Sequence, residues 1–476
     1  MTAVLLPPSA DLDLAPLAAA LTPRALVTDP DVVAAHSEDK ALFCAVGQAR
    51  ALVRAATIED VQATLRFAHA HAVPVVPQGA RTGLSGGANA MDGAILLNVA
   101  KMNAVLDVNP VEKTATVQPG VVNLDLKKHL EPFGLAYPPD PGSVAISSIG
   151  GNVATNAGGL CCVKYGVTRD YVRSLKVVLA DGSLTTVGRP TAKGVAGFEL
   201  SHLFVGSEGT LGVVVEVTLD LVPALPDPLT AVGLFPTSTA AARTVTAFME
   251  SGAQPSMLEF IDGPTIGMIN AYGDFGLDDG TGAMLLVQSN GDGSPERAQA
   301  ELESFSRIAR ENGATDVTYS DDPRDSELLV AARRAISPAI EAYCHREHLG
   351  ELVDDVCVPL ARMADFSSAL DAISARYPDN LIASCAHAGD GNFHPCVFFD
   401  QDSEESNRLA QEAFGEIMAA GLALGGTITG EHGVGYLKAE WLAKELDPAS
   451  RALHLAIKNA LDPKGILNPG KMLRAL

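Results

Sequence analysis

Three glycine-rich tracts, each joined to a strand-like segment, limit what this chain can fold into more than any other feature of its sequence. They span Gln78–Ala88, Pro138–Gly166 and Phe204–Gly212. Small residues let the backbone lie close to a flat or charged ligand, and successive N–H groups can wrap a phosphate. Glycine-rich loops on three separate strands therefore predict an α+β domain that binds an extended ligand along one edge.

The first tract has the composition of a phosphate-binding loop but matches neither common fingerprint. Its glycines stand at 79, 83, 86 and 87, and the strand-like Ala94–Asn98 follows it. A dinucleotide-binding fingerprint must open a helix, and a Walker loop needs Gly-Lys-Ser/Thr. The tract is thus a different kind of phosphate loop, with a plain glycine-rich turn as the alternative.

Capping and turn residues between the tracts predict the local structure. Thr57, followed by Glu59 and Asp60, predicts the start of a helix, and Asp181-Gly182 predicts a hairpin turn. Hydrophobic patterning predicts the other elements: strands at Ala51–Arg54, Val73–Pro77 and Met284–Gln288, and helices at 11–21, Arg297–Asn312, Glu327–Ala342 and from Pro448.

A pair of histidines flanks a short polar turn in the second half of the chain. The stretch is His387-Ala-Gly-Asp-Gly-Asn-Phe-His394, and Gly430-Glu431-His432-Gly433 follows it. A tight turn would bring the two imidazoles to one point, where Glu431 would add a carboxylate. Two nitrogen ligands and one oxygen ligand predict a divalent metal with open positions for a substrate, and His432 would then serve as a base. A polar loop capped by its histidines is the alternative.

Length, charge and cysteine content limit the number of domains, the partners and the compartment that this chain can have. The 476 residues predict two or three domains, and the net charge of −23 argues against nucleic acid and anionic membranes as partners. Apolar runs are too short for a membrane span, and the first residues lack the charged region of a signal peptide. Seven cysteines without a CxxC motif read as reduced thiols. These features predict a cytoplasmic protein.

Together these stretches resemble the flavin-binding domain of the vanillyl-alcohol-oxidase superfamily. With the histidine and Glu-His motifs added, the chain resembles the FAD-dependent D-2-hydroxyacid dehydrogenases, a family that includes cytochrome-type D-lactate dehydrogenases, glycolate oxidase catalytic subunits and D-2-hydroxyglutarate dehydrogenases. The most specific matches are Pro77–Gly87, Ile149–Gly159, Gly206–Gly212, His387–His394, Glu431–Gly433 and Asn468-Pro-Gly-Lys471.

The resemblance implies an α+β fold with a two-subdomain FAD-binding domain of the vanillyl-alcohol-oxidase (PCMH) type and a ferredoxin-like antiparallel α+β cap domain, with helices on one face of its sheet. The implied boundaries are an N-terminal arm at 1–45, the FAD-binding domain at 46–225 and the substrate or cap domain with the metal site at 226–435. A C-terminal segment at 436–476 would return to the FAD domain, with Asn468 near the flavin ring.

The resemblance also implies which residues bind FAD. Some relatives attach the flavin through a histidine after Ser-Gly-Gly, but that position is Ala88 here, so we expect non-covalent FAD. The implied cofactor residues are Pro77, Gly79, Ala80, Arg81, Thr82, Gly83, Leu84, Ser85, Gly86, Pro141, Gly142, Ser143, Ser148, Gly150, Gly151, Asn156, Gly158, Gly159, Tyr165, Gly166, Glu208, Gly209, Gly212, Val213 and Asn468.

For the chemistry, the resemblance implies oxidation of a small D-2-hydroxy acid to the 2-oxo acid. His387, His394 and Glu431 would bind the metal, with zinc expected first and manganese, iron or cobalt as alternatives. His432 would be the catalytic base, Arg333 would bind the substrate carboxylate, and Asn392 and Ser337 would be further substrate contacts. Electrons would pass to a cytochrome, a quinone, an electron-transfer flavoprotein or an iron–sulfur subunit, and a homodimer is left open.

The substrate expectation depends on one stretch before Pro359. Where D-2-hydroxyglutarate enzymes carry a lysine for the second carboxylate, this chain has Val353, beside Asp354 and Asp355. Uncompensated charge in a closed site is costly, so a D-lactate-like monocarboxylate is expected. D-2-hydroxyglutarate dehydrogenase and glycolate oxidase subunit remain alternatives, as do a non-catalytic FAD electron-transfer subunit and a flavin transferase of the alkylglycerone-phosphate synthase type.

Overall fold

A computed structural model describes residues 12–273, 280–320, 330–331 and 333–476. The chain forms two units. The first unit comprises residues up to 158, 167–224 and 431–476, and the second comprises 159–166 and 225–430. The two units show the mixed α+β class that the sequence predicts.

The N-terminal sheet of the first unit is mainly parallel. It consists of β1 (Leu26–Val27), β2 (Ala51–Arg54), β3 (Val75–Gln78) and β4 (Ile95–Asn98), in the order β1-β2-β4-β3. The strands β2 and β3 both pair with β4 in parallel, while β1 is antiparallel. The connecting helix Ile58–His71 begins at Thr57, whose side chain forms a capping box with Asp60. The predicted strand Ala51–Arg54 and the helix start at Thr57 are therefore confirmed, while the strand predicted at Val73–Pro77 is found at Val75–Gln78.

An antiparallel sheet forms the other part of the first unit. Its strands are β5 (Val105–Asn109), β6 (Thr114–Val117), β8 (Val172–Val178), β9 (Leu184–Gly188) and β10 (Val213–Asp220), in the order β5-β6-β10-β8-β9. The turn at Asp181-Gly182 joins β8 to β9 as predicted. A short pair, β7 (Leu135–Ala136) with β11 (Val222–Pro223), stands apart. The α-helices of this unit are Ala15–Ala20, Pro30–Ala34, Ile58–His71, Asn123–Leu130, Ile149–Thr155, Thr168–Tyr171, Ser201–Phe204, Ala439–Glu445 and Pro448–Leu461.

Two elements of the first unit differ from the sequence expectation or extend it. The helix Ile149–Thr155, capped by Ser148, lies inside the second glycine-rich tract, where the sequence predicted only backbone lying close to a ligand. The C-terminal segment pairs with the parallel sheet, because Leu467 bridges to Val75 and both side chains lie in the same buried core.

The second unit is built on one antiparallel sheet. Its path is β15-β12-β14-β13-β18-β19-β16, and β17 pairs with β19. The strands are β12 (Leu229–Phe235), β13 (Met257–Asp262), β14 (Ala283–Ser289), β15 (Asp316–Tyr319), β16 (Leu349–Val353), β17 (Val356–Cys357), β18 (Ile382–His387) and β19 (Asn392–Asp400). The α-helices are Cys162–Tyr165, Ser238–Glu250, Gly263–Tyr272, Pro295–Glu311, Ile336–Glu347, Met363–Ser374 and Glu404–Ala423.

Helices cover both faces of this sheet, which corrects the expectation of helices on one face only. Phe393 and Phe398 are five residues apart on β19 and so point to opposite faces. Phe393 packs against Phe366 of the helix Met363–Ser374, and Phe398 packs against Tyr343 of the helix Ile336–Glu347. The apolar strands are buried on both sides for this reason. Of the predicted helix Glu327–Ala342, residues 327–329 and 332 lie outside the described residues, and the helix Ile336–Glu347 covers its C-terminal part.

The seven cysteines all lie in the described ranges, and none of them forms a disulfide bond. Within the described ranges, no helix combines the length and the apolar character that crossing a membrane requires.

Candidate functional site

The two histidines of the polar turn lie on neighbouring strands of the second unit. The strands β18 and β19 form a hairpin in which His387 pairs with Asn392, and Cys385 pairs with His394. Their turn includes Gly391, whose φ of 74° favours glycine and where a Cβ would overlap the carbonyl of Val358. This register places both imidazoles diagonally on one face of the sheet.

The two rings form a compact, buried donor pair. Their centroids are 5.0 Å apart at an interplanar angle of 82°, and one ring nitrogen of each lies within 4.8 Å of the other. His387 is 5% exposed and His394 is 7% exposed. Neutral imidazole nitrogens at this spacing are suitable ligands for one divalent metal.

Glu259 lies beside His387 on the neighbouring strand β13 and is completely buried. It stands opposite His387 in the pairing of β13 with β18, and its Oε1 accepts a hydrogen bond of 2.8 Å from His387 Nδ1. Its Oε2 accepts a second bond of 2.6 Å from Arg333 Nε. Burial opposes the charge on Glu259, but His387 and Arg333 outweigh it and hold its pKa below the usual value.

Asp355 is a second carboxylate next to the histidine pair, on the side of His394. Its Oδ2 accepts hydrogen bonds from the Thr429 hydroxyl at 2.6 Å and from the Gly430 N–H at 2.9 Å. Its Oδ1 lies 3.8 Å from His394 Nδ1. The fully buried Asp355 thus fixes the end of the segment that leads into Glu431.

The other predicted substrate residues of the second unit differ in their surroundings. Asn392 is buried next to His387, and its side-chain oxygen has no hydrogen-bond partner in the part of the chain that the structure describes. Any side chain at Gly430 would collide with the Asn392 amide. Ser337, by contrast, is exposed in the first turn of the helix Ile336–Glu347.

In the first unit, the loop from Gly79 to Ser85 has the donors that an anion needs. None of its backbone N–H groups donates a hydrogen bond to another described residue, although the loop is half-buried or buried. Gln78 Oε1, Asn152 Nδ2 and Asn468 Oδ1 are buried in the same unit and likewise lack partners among the described residues. A run of N–H donors, with further buried polar atoms in the same unit, fits the diphosphate and polar edges of FAD.

Ser85 links this loop to the segment that contains His432. Its hydroxyl bonds to the carbonyls of His432 at 3.1 Å and Gly433 at 2.8 Å. The carboxylate of Glu208 accepts hydrogen bonds from the Val434 and Gly435 N–H groups, each at 2.7 Å. Burial raises the pKa of Glu208 to about 7 against the opposing effect of these two bonds. The backbone on the C-terminal side of His432 is therefore held from both sides.

The C-terminal Asn468-Pro-Gly-Lys471 motif holds the other end of the glycine loop. Asn468 Nδ2 donates to the carbonyls of Gly87 and Glu208, and the buried Lys471 Nζ donates to those of Gly86 and Asn89. Burial lowers the pKa of Lys471 to about 8. Through these bonds the C-terminal motif fixes the backbone at the end of the glycine loop.

Some predicted cofactor residues have a packing role that the sequence did not indicate. A Cβ at Gly150 would lie 2.5 Å from Pro119 Cβ, and one at Gly212 would lie 2.5 Å from Val177. The Val213 side chain is 3% exposed in the core. Tyr165 belongs to the second unit, where its hydroxyl accepts a bond of 2.5 Å from Asn290 Nδ2.

The residues predicted for the metal and the chemistry are divided between the two units. Glu431 and His432 belong to the first unit, and His387, His394 and Arg333 belong to the second. Glu431 as the third ligand and His432 as the base therefore stay predictions from the sequence.

Sequence reasoning missed Glu259 and assigned Asp355 only an electrostatic effect on the substrate. A signal for Glu259 was present: it is the single charged residue in the interior of the apolar strand Met257–Asp262. A carboxylate at such a position needs a partner. The partner itself cannot be identified from that strand, because Arg333 and His387 are far along the chain.

Two family models match the chain. Residues 49–188 match the FAD binding domain, and residues 228–472 match the model described as FAD linked oxidases, C-terminal domain. The second match alone covers about half of the chain.

Curated relatives match over most of their length. The chain is 40% identical to the glycolate oxidase subunit GlcD of Bacillus subtilis (strain 168), over 89% of this chain and 88% of that protein. It is 34% identical to a D-lactate dehydrogenase of Anaerostipes hadrus, over 95% of both. It is 36% identical to the mitochondrial D-lactate dehydrogenase [cytochrome] of Arabidopsis thaliana, over 87% of this chain and 72% of that protein.

Solved structures share the fold at low sequence identity. A substrate-bound p-cresol methylhydroxylase superposes with a TM-score of 0.79 at 16% identity, over 96% of this chain and 95% of that one. An alkyldihydroxyacetonephosphate synthase superposes with a TM-score of 0.74 at 21% identity, over 95% and 84%. These two similarities concern the fold alone.

Proposed function

Because this chain belongs to the family of FAD-linked oxidases, we propose that it oxidises a short D-2-hydroxy monocarboxylate, with D-lactate as the model substrate, to the 2-oxo acid. The observation that carries the proposal is the convergence of His387, His394 and Arg333 on one sheet face of the second unit, with Glu259 bonded to two of them. Metal ligands beside a carboxylate-binding arginine suit a 2-hydroxy acid, which carries a hydroxyl next to its carboxylate.

The proposed roles follow from the chemistry of each side chain. His387 and His394 would bind a divalent metal, with zinc as the first expectation, and Glu431 would supply the oxygen ligand. Such a metal would supply Lewis-acid chemistry that lowers the pKa of the substrate hydroxyl. His432 takes the hydroxyl proton, a role worth ~10²–10⁴-fold in rate. FAD would supply the two-electron acceptor for the oxidation of the substrate.

Arg333 binds and orients the substrate carboxylate. Its bond to Glu259 uses Nε, so a bidentate contact with a substrate carboxylate would use the two Nη atoms. Fixing the carboxylate and the hydroxyl together determines which hydrogen of the α-carbon is removed, which supports selectivity for one enantiomer.

A monocarboxylate is favoured by the charges before Pro359. The stretch 349–358 contains no lysine or arginine, and burial raises the pKa of Glu351 within it. Val353 packs against the apolar core, and the carboxylate of Asp355 is bonded to Thr429 and Gly430. This stretch would offer no positively charged side chain to pair with a second substrate carboxylate.

Glycolate is the second candidate substrate, favoured by the 40% identity to a glycolate oxidase subunit. It is also a 2-hydroxy monocarboxylate, so the same residues would serve it. In either case we propose a protein or quinone acceptor for the electrons, because relatives include a cytochrome-type D-lactate dehydrogenase.

The test is a comparison of kcat/KM for D-lactate, L-lactate, glycolate and D-2-hydroxyglutarate with one artificial dye acceptor. We expect D-lactate or glycolate to exceed D-2-hydroxyglutarate at least tenfold, and D-lactate to exceed L-lactate by a similar factor. A tenfold preference for D-2-hydroxyglutarate would contradict the monocarboxylate assignment, and no turnover of any 2-hydroxy acid would refute the proposed function.

A further inference from the structure

The carboxylate of Glu259 has surroundings that a purely structural buried acid does not need. Glu259 is 0% exposed on β13, where Met257 and Ile261 on the same face belong to the apolar core. An isolated charge at such a position is strongly destabilising. An apolar residue would serve packing better, so the charge itself is the feature that requires a reason.

Each oxygen of Glu259 is committed to a different partner. Oε1 accepts from His387 Nδ1 at 2.8 Å, and Oε2 accepts from Arg333 Nε at 2.6 Å. Because the two bonds use different oxygens, neither competes with the other. The pairing of Glu259 with His387 across β13 and β18 fixes the first bond. The second bond is made by Arg333, which is 74 residues away in the sequence.

The first bond determines the orientation and tautomer of His387. A proton on Nδ1 is donated to the carboxylate, so the lone pair of His387 lies on Nε2, the nitrogen that can bind a metal. A carboxylate behind a ligating imidazole also increases its basicity, and loss of such a partner typically costs 10–100-fold in metal affinity.

The second bond determines the orientation of Arg333. A guanidinium bonded at Nε has a restricted orientation, which decreases the rotamer entropy lost when a carboxylate binds. We propose that Glu259 is a positioning residue that couples metal binding at His387 to substrate-carboxylate binding at Arg333. This inference rests on the proposed function of both residues.

The test uses the FAD-loaded protein with Glu259→Gln, Glu259→Asp and, as a matched control, Asp262→Asn. Asp262 is a buried carboxylate on the same strand, but it bonds to the N–H groups of Thr265 and Ser384. Mn²⁺ affinity is measured by electron paramagnetic resonance titration without substrate. KM and kcat for D-lactate are then measured at saturating Mn²⁺.

For Glu259→Gln we expect a 10–100-fold loss of Mn²⁺ affinity and, with metal saturating, a KM increase of about tenfold that exceeds the change in kcat. Glu259→Asp keeps the charge but shortens the reach, so it should fall between the wild type and Glu259→Gln. Asp262→Asn should change neither quantity more than twofold.

Flavin content and circular dichroism monitor folding. If Glu259→Gln does not fold, Glu259→Asp still decides the matter: Mn²⁺ affinity and KM equal to wild type would overturn the inference. Wild-type Mn²⁺ affinity in a folded Glu259→Gln protein would also overturn it while leaving the proposed function intact. A wild-type protein that binds neither Mn²⁺ nor zinc would instead refute the metal-dependent function and the inference together.

Discussion

The surroundings of His387 fix its ring, whereas the surroundings of His432 fix its backbone. Glu259 fixes the ring of His387 through Nδ1, whereas Ser85 fixes the backbone of His432 through its carbonyl. A metal ligand needs one ring nitrogen directed at the ion, and a base needs a ring that can exchange a proton. The two residues should therefore fail in different ways when each is replaced.

We expect His387→Ala to lose metal and activity together. His432→Ala should keep both FAD and metal while kcat falls by ~10²–10⁴-fold. Metal content, flavin absorbance and kcat measure these outcomes, with the exposed His345→Ala as a control. Near-normal turnover of His432→Ala would show that another group is the base.

Asp262 predicts a pH dependence of stability. Burial raises its pKa from 3.8 to about 7, with the charge of Asp371 adding to the increase. Between these values the folded protein holds a proton that the unfolded chain releases. The stabilisation is complete below about pH 4 and is lost as pH rises through about 7, at up to ~1.4 kcal/mol per pH unit.

Asp262→Asn cannot titrate, so its Tm should vary less than that of the wild type between pH 5 and 7. Differential scanning fluorimetry of both proteins across this range measures the two slopes, with the exposed Asp365→Asn as a control. Equal slopes for Asp262→Asn and wild type would assign the pH dependence to other groups.

At the scale of elements, the loop after His432 is held by two loops that are far away in the sequence, one between β3 and β4 and one just before β10. Glu208 accepts the N–H groups of Val434 and Gly435, and the Ser85 carbonyl accepts those of Tyr436 and Leu437. Two loops and the C-terminal motif thus depend on one another. A substitution of Glu208 should therefore alter the backbone of the segment after His432 while leaving the side chains of that segment unchanged.

Glu208→Ala leaves two partly buried N–H groups without their acceptor, at a cost of roughly 1–3 kcal/mol each. We expect a lower Tm together with a lower kcat, while Mn²⁺ affinity at His387 and His394 changes less than kcat. Glu216→Ala, which removes only a partly exposed pair with Lys176, is the matched control. Unchanged Tm and kcat in Glu208→Ala would mean that the segment is held by other contacts.

At the scale of the whole molecule, neither unit contains all the residues of the proposed chemistry. The chain passes between the units after Gly158, Gly166, Ala224 and Gly430. The glycine loop, Glu431 and His432 belong to the first unit, while the histidine pair, Glu259 and Arg333 belong to the second. Each unit on its own is therefore expected to lack 2-hydroxy acid oxidation.

The flavin should be released when the whole protein is denatured by acid. Ala88 stands where some relatives carry the attachment histidine, and its N–H and C=O are bonded to Asp39 and Gln78. We expect the flavin absorbance in the supernatant after acid precipitation. Absorbance in the pellet would indicate a covalent bond, and a Cys161→Ser/Cys162→Ser protein would then test the two thiols of the second glycine-rich tract.

The sequence alone determined the local elements, because their signals come from neighbouring residues. Thr57 and Asp60 cap a helix three residues apart, Gly391 sits in the turn that the Gly-Asp-Gly-Asn run predicts, and alternating Val213–Leu219 forms a strand. Family motifs also indicated FAD and the class of enzyme, which the matching family models and relatives bear out.

Only the tertiary structure decided which buried charges meet. Glu259 with Arg333 and His387, and Glu208 with Val434 and Gly435, are separated by 74 to 227 residues. Local patterns record burial and turn preference, but the partner of a buried carboxylate depends on which distant elements pack together. For the same reason the helices on both sheet faces and the helix Ile149–Thr155 were not foreseen: packing, and not local composition, selects them.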